Sequence, residues 1–327
     1  MKPASQFDIS GIRVLDGGMA TELERRGCNI SGPLWSAHVL ADSPETIEAV
    51  HLSYLEAGAD CILTASYQVS AKGYTELDQA GMPHPRRARI GGSQDDKPAK
   101  KYQEAAATAL RQSIELALAA REKYHQLSAR PIWIGVSLGP YGAALHNGAE
   151  YHGNYDLSFA ELVQFHAERL AVVEKTQADF VAFETIPSIE EAEAIVEALH
   201  QQPTVHGWIS FTCKDNQHIA HGEKLASCAE FLDKQKQIIA IGINCTHPKF
   251  IAPLIREIKQ STQKPIVVYP NSGEGWDAEH RRWTGTSNTA EFGHLAREWA
   301  SAGAQIIGGC CRTSPEHVSA IHQALKS

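Results

Sequence analysis

Short apolar runs recur along the whole chain, and longer segments with apolar residues at helical spacing lie between them. Apolar runs of about four to eight residues are typical of buried strands, while a period of about 3.6 residues indicates an amphipathic helix. The predicted strands are residues 12–15, 61–65, 132–138, 180–183, 205–211, 238–243, 266–269 and 305–307. The predicted helices are residues 21–26, 44–57, 71–79, 100–124, 158–175, 188–200, 248–260, 289–302 and 315–324. This alternation predicts parallel strands joined by crossover helices.

The number of strand–helix units bears on how the sheet is arranged. Eight units in about 300 residues favour a closed barrel, although a doubly wound open sheet shows the same alternation. No Gly-x-Gly-x-x-Gly motif follows the first predicted strand, which argues against a dinucleotide-binding sheet. We therefore predict an α/β protein with a (β/α)8 TIM barrel, formed by residues 1–327 as a single domain. Residues 82–99 carry prolines, paired glycines and mixed charges, so we expect an exposed insertion there.

Two of the predicted helices begin with capping signals. Ser188 precedes Glu191 at the spacing of a capping box, in which each side chain bonds the backbone N–H of the other residue. Ser314 precedes Pro315, and proline suits the first position of a helix. These signals place the starts of the helices at residues 188–200 and 315–324.

Composition and charge limit the kinds of molecule that the protein is expected to bind. The 327 residues carry a formal net charge of −8 and 43% hydrophobic residues, values typical of a globular enzyme-sized chain. The acidic balance argues against nucleic acid, and no apolar run approaches the length of a membrane span. Residues 1–7 have no apolar segment of the secretory kind. We therefore expect a cytoplasmic protein whose seven cysteines are free thiols.

Three of these cysteines follow predicted strands. Cys245 comes after strand 238–243, and Cys310 and Cys311 come after strand 305–307 and two glycines. Catalytic residues of barrels lie at the C-terminal ends of strands, so these thiols are expected to meet at one mouth. Three thiolates can hold one Zn²⁺ and leave its fourth position open for a substrate thiolate. The residues alone leave two other readings open, namely buried core cysteines or a Cys310–Cys311 redox pair.

Three motifs resemble those of the homocysteine S-methyltransferase family. They are Gly-Ile-Asn-Cys at 242–245, Gly-Gly-Cys-Cys-Arg-Thr at 308–313 and Leu-Asp-Gly-Gly-Met-Ala-Thr-Glu-Leu at 15–23. The resemblance runs from about residue 10 to the end, in the order of the family. It implies a (β/α)8 barrel that binds one zinc ion per chain through the three cysteines and methylates homocysteine.

Two acidic residues at strand ends are candidates for binding the amino-acid substrate. Asp16 precedes Gly17 and Gly18, whose backbone N–H groups suit a carboxylate, while the Asp16 carboxylate suits an ammonium group. Glu184 follows the apolar run 180–183, where a carboxylate needs a partner. A helix cap for Asp16 and an internal salt bridge for Glu184 remain open on the residues alone. The resemblance implies that both residues hold the amino group of homocysteine.

Further candidates lie at the other strand ends. Tyr67 or Gln68, after the second predicted strand, is expected to face the zinc ion from the barrel rim. Aromatic and polar residues that could contact a methyl donor are Tyr141, Glu150, Asn244, Asn271 and Trp276. Aromatic faces attract sulfonium and ammonium groups, although ordinary turns with rim aromatics have the same composition.

The predicted function is zinc-dependent transfer of a methyl group to the thiolate of L-homocysteine, which gives methionine. The donor is S-methylmethionine, with S-adenosylmethionine as a poorer one, because Gly-Pro-Tyr-Gly-Ala at 139–143 and Tyr-Pro-Asn-Ser-Gly-Glu at 269–274 resemble the sulfonium-donor branch of the family. The alternatives are a betaine-dependent homocysteine methyltransferase, a thiol redox sensor that uses Cys310 and Cys311, and a zinc-buffering protein without turnover. All expected partners are small molecules.

Overall fold

Eight parallel strands surround a buried interior and bring the predicted strand ends to one rim. The computed structural model describes residues 11–30, 36–79, 98–277, 282–284 and 288–326. Its strands are β1 (Arg13–Val14), β2 (Cys61–Leu63), β3 (Trp133–Leu138), β4 (Phe180–Ile186), β5 (Gly207–Phe211), β6 (Ile238–Asn244), β7 (Ile266–Tyr269), β8 (Gly275–Asp277), β9 (Arg282–Thr284) and β10 (Ile306–Ile307). The main sheet has the order β1-β10-β7-β6-β5-β4-β3-β2, while β8 and β9 form a separate antiparallel pair.

Backbone contacts between β1 and β2 close this sheet into a barrel. Leu15 forms a parallel bridge with Cys61. The Asp16 amide donates to the Cys61 carbonyl at 3.0 Å, and the Asp60 amide donates to the Val14 carbonyl at 2.7 Å. These bonds join the two edge strands, so the predicted TIM barrel is confirmed.

Helices pack around the outside of the barrel. They are α1 (Met19–Arg25), α2 (Ser36–Asp42), α3 (Pro44–Glu56), α4 (Ala71–Gln79), α5 (Pro98–His125), α6 (Tyr141–Ala144), α7 (Phe159–Val173), α8 (Ile189–His200), α9 (Leu225–Asp233), α10 (Ile251–Lys259), α11 (Thr289–Ala302) and α12 (Pro315–Lys326). Within the described ranges, no helix is both long enough and apolar enough to cross a bilayer.

The sequence predicted every strand of the barrel and most of its helices. It missed α2, the short α6 and α9, although α9 buries Leu225, Cys228, Ala229 and Leu232 at helical spacing. A 3₁₀ turn at Pro248–Phe250 begins the segment that was predicted as a continuous helix. The predicted insertion at 82–99 lies outside the described residues, except for its last two positions, which belong to α5.

The inside of the barrel is filled by side chains from its strands. Phe180 and Trp208 stack there with ring centroids 4.5 Å apart. Gly135 makes room for them, because a Cβ at this position would lie 2.4 Å from the Phe180 ring. The polar layer above contains the Trp208 indole, which donates to the Tyr269 hydroxyl at 3.2 Å. The packed interior leaves the C-terminal rim of the strands as the place for a site.

Ion pairs hold the residues that precede β2 and β4 at the opposite rim. Asp60 accepts hydrogen bonds from the Val14 amide at 2.9 Å and from Arg130 at 3.0 Å. Asp179 accepts from Arg121 at 2.8 Å. The Lys326 ammonium donates to the Ile12 carbonyl at 2.6 Å, so the two ends of the described chain meet at this rim.

Candidate metal and substrate site

A cavity at the C-terminal rim collects residues from strands that are far apart in sequence. Its lining includes most of the predicted site residues, namely Asp16, Gly17, Gly18, Tyr67, Gln68, Glu150, Glu184, Cys245, Cys310 and Cys311. Convergence of this kind follows from the barrel, since all parallel strands end at the same rim. The predicted zinc ligands and the predicted substrate residues therefore share one cavity.

The three cysteine sulfurs form a compact triangle. The Sγ atom of Cys245 lies 3.2 Å from that of Cys310 and 3.5 Å from that of Cys311. All three ligand atoms lie within 4.8 Å of one another. Tetrahedral zinc with zinc–sulfur bonds of about 2.3 Å holds its sulfur ligands about 3.8 Å apart. The triangle thus fits a metal ion bound by three thiolates.

Hydrogen bonds between neighbouring strand ends hold Cys245 in place. Asn244 is fully buried. Its side-chain oxygen accepts from the Thr185 amide at 2.7 Å, and its side-chain nitrogen donates to the Thr185 hydroxyl at 2.9 Å. Asn244 therefore ties the end of β6 to the end of β4 directly before the first cysteine. Its predicted contact with the methyl donor stays a prediction.

Three residues around the thiols have backbone angles that are unusual for side chains other than glycine. The φ angles are 61° at Thr185, 49° at Cys245 and 65° at Arg312. Such left-handed conformations cost about 1–3 kcal/mol each and persist where the surroundings impose them. Arg312 is held by its Nε, which donates to Glu274 at 3.1 Å. The backbone on both sides of the sulfur triangle is thus strained.

The Gly17-Gly18 turn packs directly against the cysteine pair. A Cβ on Gly18 would lie 2.6 Å from the Cys310 carbonyl oxygen, so only glycine fits this approach. The Gly18 amide donates to the Thr313 hydroxyl at 3.1 Å. This N–H group is therefore already bonded within the protein. Binding of a substrate carboxylate by the turn stays a prediction.

Asp16 and Glu184 are both buried acids that line the cavity. Asp16 accepts a hydrogen bond from the Leu63 amide at 2.8 Å, yet burial and the charge of Glu184 hold its pKa well above the usual range. Burial raises the pKa of Glu184 to about 8, against the opposing effect of the nearby Ser137 and Tyr269 side chains. Within the described residues, neither acid forms an ion pair with a cationic side chain. Both therefore suit a cationic ligand.

Glu150 and Tyr151 enter the cavity from the loop after β3. The Glu150 Oε2 atom is buried and has no hydrogen-bond partner among the described residues. Burial raises the pKa of Glu150 to about 7. The Tyr151 hydroxyl lies 3.8 Å from the Cys245 sulfur. Sequence reasoning did not single out Tyr151, although its position directly after Glu150 in a loop rich in tyrosine was a usable signal.

The end of β2 brings both candidates for the rim group to the cavity. The Gln68 amide donates to the Ala143 carbonyl at 3.4 Å, so it is directed toward α6. Burial raises the pKa of the Tyr67 hydroxyl, and the side chain of nearby Thr185 opposes this rise. The Tyr67 hydroxyl is thus directed toward the strand end that borders the thiols, whereas the Gln68 amide is directed away from it. A role as a zinc-facing group stays a prediction for both.

The structure places none of the other three predicted donor contacts in the lining of the described cavity. Tyr141 packs its ring against Tyr155 at 5.4 Å and does not line the described cavity. Asn271 is also absent from that lining, although its side-chain oxygen is buried without a partner in the described part of the chain. Trp276 lies in β8, and its side chain is outside the described residues. Donor contacts of these three residues stay predictions.

Comparisons with known proteins identify the family of this chain. The homocysteine S-methyltransferase family profile matches residues 13–325. The homocysteine S-methyltransferase YbgG of Bacillus subtilis (strain 168) is 44% identical, over 96% of this chain and 95% of that protein. The selenocysteine Se-methyltransferase of Brassica oleracea var. italica is 40% identical, over 98% and 90%. The metallated form of the homocysteine methyltransferase MmuM from Escherichia coli has a TM-score of 0.81 and 35% identity, with 98% of each chain covered. The chain therefore belongs to the homocysteine S-methyltransferase family.

Proposed function

We propose that the protein transfers a methyl group from a sulfonium donor to the thiolate of L-homocysteine, with one zinc ion bound by Cys245, Cys310 and Cys311. S-Methylmethionine is the main donor and S-adenosylmethionine a poorer one. The observation that carries the proposal is the sulfur triangle, whose three ligand atoms lie within 4.8 Å of one another beside two buried acids. Family membership supports methyl transfer to homocysteine.

Zinc held by three thiolates would lower the pKa of the substrate thiol and keep its sulfur as a nucleophilic thiolate at neutral pH. The bond from this sulfur to the donor methyl forms while the bond from the methyl to the donor sulfonium breaks, and the donor leaves as a neutral thioether. Negative and positive charge disappear together in this step. The buried surroundings of the cavity favour such a change because they solvate separated charges poorly.

The residues of the chain place the substrate for this step. Asp16 and Glu184 would bind the homocysteine ammonium, since both are buried carboxyl groups without a cationic partner in the described chain. An arriving ammonium restores the ionised form of Glu184, whose pKa burial raises to about 8. On the side of the loop after β3, the Tyr151 hydroxyl lies 3.8 Å from the Cys245 sulfur.

Glu150 favours a donor that carries an amino-acid group. Its buried Oε2 atom has no partner among the described residues, and a buried acceptor of this kind discriminates against ligands without a matching donor. S-Methylmethionine offers an ammonium group several bonds from its sulfonium. Glycine betaine offers no N–H group at all. The proposal therefore places the donor ammonium on Glu150 and expects the sulfonium compound to be preferred.

The test combines metal analysis with kinetics on the reduced protein. We expect about one zinc per chain and a kcat/KM for S-methylmethionine at least about tenfold above that for glycine betaine, with homocysteine saturating. Betaine that works equally well would overturn the donor assignment alone. A protein that binds no zinc, forms a reversible Cys310–Cys311 disulfide and shows no turnover would be a redox sensor instead. Stoichiometric zinc without turnover would indicate a zinc-buffering protein.

A further inference from the structure

Glu191 has a different role from the one that its helix position predicts. It is the third residue of α8, and its amide donates to Ser188 at 3.2 Å, which is one half of a capping box. Its carboxylate does not return to Ser188. The Oε1 atom accepts from the Tyr141 amide at 2.6 Å, and the Oε2 atom accepts from the Tyr155 hydroxyl at 3.0 Å. One fully buried carboxylate thus holds both ends of the loop after β3.

Two buried side chains of α7 complete this arrangement. The His166 Nε2 atom lies 3.0 Å from Glu191 Oε1, and the His166 Nδ1 atom lies 2.8 Å from an Arg169 nitrogen. Arginine can only donate, so Nδ1 accepts and Nε2 carries the proton that is donated to Glu191. Burial lowers the pKa of His166 to about 4, which agrees with a neutral ring. The neutral histidine therefore connects the carboxylate to the guanidinium.

Arg169 extends the connection to the first residue of the loop. Its Nη1 donates to the Gly139 carbonyl at 2.9 Å, and its guanidinium lies 4.0 Å above the Phe165 ring. The chain from Gly139 to Tyr155 is thus fixed at three points by one hydrogen-bonded group, Glu191–His166–Arg169. We call this group the loop anchor.

The anchored loop carries Glu150 into the cavity. A Cβ on Gly142 would lie 2.4 Å from the Glu150 amide and 2.8 Å from the Tyr155 hydroxyl, so the loop is folded tightly on itself. A shift at either anchored end must therefore move the Glu150–Tyr151 turn. Both residues of this turn line the cavity.

We propose that Glu191 is a positioning residue that sets the place of Glu150 and Tyr151 and thereby controls use of the methyl donor. The inference rests on the proposed function, which assigns the donor ammonium to Glu150. Energetics support it, because buried charged groups seldom stabilise a protein more than apolar side chains of the same volume would. A fully buried Glu191 with a buried Arg169 is thus better explained by the geometry that it imposes on the loop than by stability.

The main test is Glu191→Gln, which keeps the shape of the side chain and an acceptor for the Tyr141 amide. The Tyr155 hydroxyl can rotate to accept from the new amide, so the variant removes chiefly the negative charge of the loop anchor. We expect kcat/KM for S-methylmethionine to fall about tenfold, mainly through KM. The KM for homocysteine and the zinc content should not change. The matched control is Glu161→Gln, at the same position of α7, where the capping box is complete and solvent-exposed.

A double-mutant cycle separates positioning from a general effect on folding. In the Glu150→Ala background, Glu191→Gln should lower kcat/KM for the donor by less than about twofold, since Glu150, the positioned group that is proposed to bind the donor ammonium, is gone. Equal losses in both backgrounds, or no loss in either, would overturn the proposal. Tyr155→Phe removes a single bond to the anchor and provides the same cycle if Glu191→Gln does not fold.

Amide hydrogen exchange measures how firmly the loop is held, and this measurement does not depend on turnover. Amides of residues 141–155 should exchange faster in Glu191→Gln than in the wild type, while amides of β4 and β5 remain unchanged. Unchanged exchange in the loop would overturn the proposal even if donor kinetics changed. If the wild-type protein fails to methylate homocysteine, the proposed function fails, and the exchange data still decide whether Glu191 holds the loop.

Discussion

Buried carboxylates at the two rims of the barrel have opposite surroundings. At the N-terminal rim, Asp60 and Asp179 accept hydrogen bonds from Arg130 and Arg121. At the C-terminal rim, Asp16, Glu150 and Glu184 are buried too, but no lysine or arginine in the described ranges pairs with them. Burial accordingly raises the pKa of all three.

This difference predicts that the paired carboxylates at the N-terminal rim contribute to stability, while the unpaired ones at the C-terminal rim contribute to binding. An acid that already has its cation contributes to the fold and is expensive to remove. An acid that is buried without a cation destabilises the free protein, and a cationic ligand can relieve that cost. Substitutions at the N-terminal rim should therefore act on unfolding, while those at the C-terminal rim should act on catalysis.

The largest effect is expected for Cys310→Ser at the C-terminal rim. The variant should lose bound zinc and all measurable turnover, because a hydroxyl is a far poorer zinc ligand than a thiolate. Its thermal unfolding should stay close to that of metal-free wild type, since the core forms without the sulfur triangle. Cys28→Ser, outside the triangle, is the control and should keep both zinc and activity. Full zinc content and turnover in Cys310→Ser would show that the ligand assignment is wrong.

Asp60→Ala at the N-terminal rim should have the largest effect on stability. The change leaves the Val14 amide and the Arg130 guanidinium without this acceptor. Loss of one partner from a buried ion pair costs about 3–5 kcal/mol, which denaturant unfolding would measure. Well below the unfolding transition, kcat/KM for homocysteine should be unchanged. A stable but inactive variant would contradict the division between the rims.

Glu184→Gln should impair homocysteine use by an intermediate amount. A charged hydrogen bond is worth about 1.5–3 kcal/mol, which corresponds to roughly a ten- to hundredfold loss of kcat/KM. Zinc content should not change. Loss of zinc, or an unaltered kcat/KM, would argue against contact with the substrate ammonium.

The same variant also has a pH signature in stability. A glutamate carboxyl ordinarily has a pKa of 4.5, and burial raises the pKa of Glu184 in the folded protein to about 8. The unfolded chain releases this proton first, so ionisation of Glu184 lowers wild-type stability as pH rises between these values. Glutamine lacks this loss. In homocysteine-free protein, Glu184→Gln should therefore gain stability over wild type from pH 5 to pH 8, in melting curves taken at both values.

The smallest effect is expected for Lys326→Met, again at the N-terminal rim. The Lys326 ammonium lies 3.5 Å from Asp60, and its side chain is 32% exposed. Solvent screens such a pair, so the loss should be no more than about 1 kcal/mol and activity should be unchanged. A loss as large as that of Asp60→Ala would mean that Lys326, rather than Arg130, is the main partner of Asp60.

Much of the barrel could be predicted because the burial of a strand is visible in the apolar residues of the strand itself. Continuous apolar runs such as 238–243 identify strands that are covered on both faces. The rim positions of Cys245 and Glu184 followed from where these runs end. Helix α9 was missed although its apolar residues have helical spacing, so its signal was present in the sequence.

Other features depend on contacts between distant segments and leave no local signal. Ser188 and Glu191 match a capping box, but the Glu191 carboxylate bonds His166, which lies 25 positions earlier. The left-handed backbone of Thr185 depends on its bonds with Asn244, which belongs to another strand. The bonded state of the Gly18 amide likewise depends on Thr313, near the other end of the chain. Such pairings are set by tertiary packing, which periodicity does not encode.

The contact between Lys326 and the Ile12 carbonyl has a practical consequence for protein engineering. Segments that meet near the two ends of a chain can be joined by a short linker, and new ends can be opened in an exposed turn. The junction lies at the rim opposite the sulfur triangle, so a circular permutant would keep every cavity residue on its own strand. New termini in the turn between α5 and β3 would make β3 the first strand of the chain. The ribosome would then synthesise the residues of the loop anchor soon after the new N-terminus. Such permutants could show whether the order in which the strands leave the ribosome matters for assembling this rim.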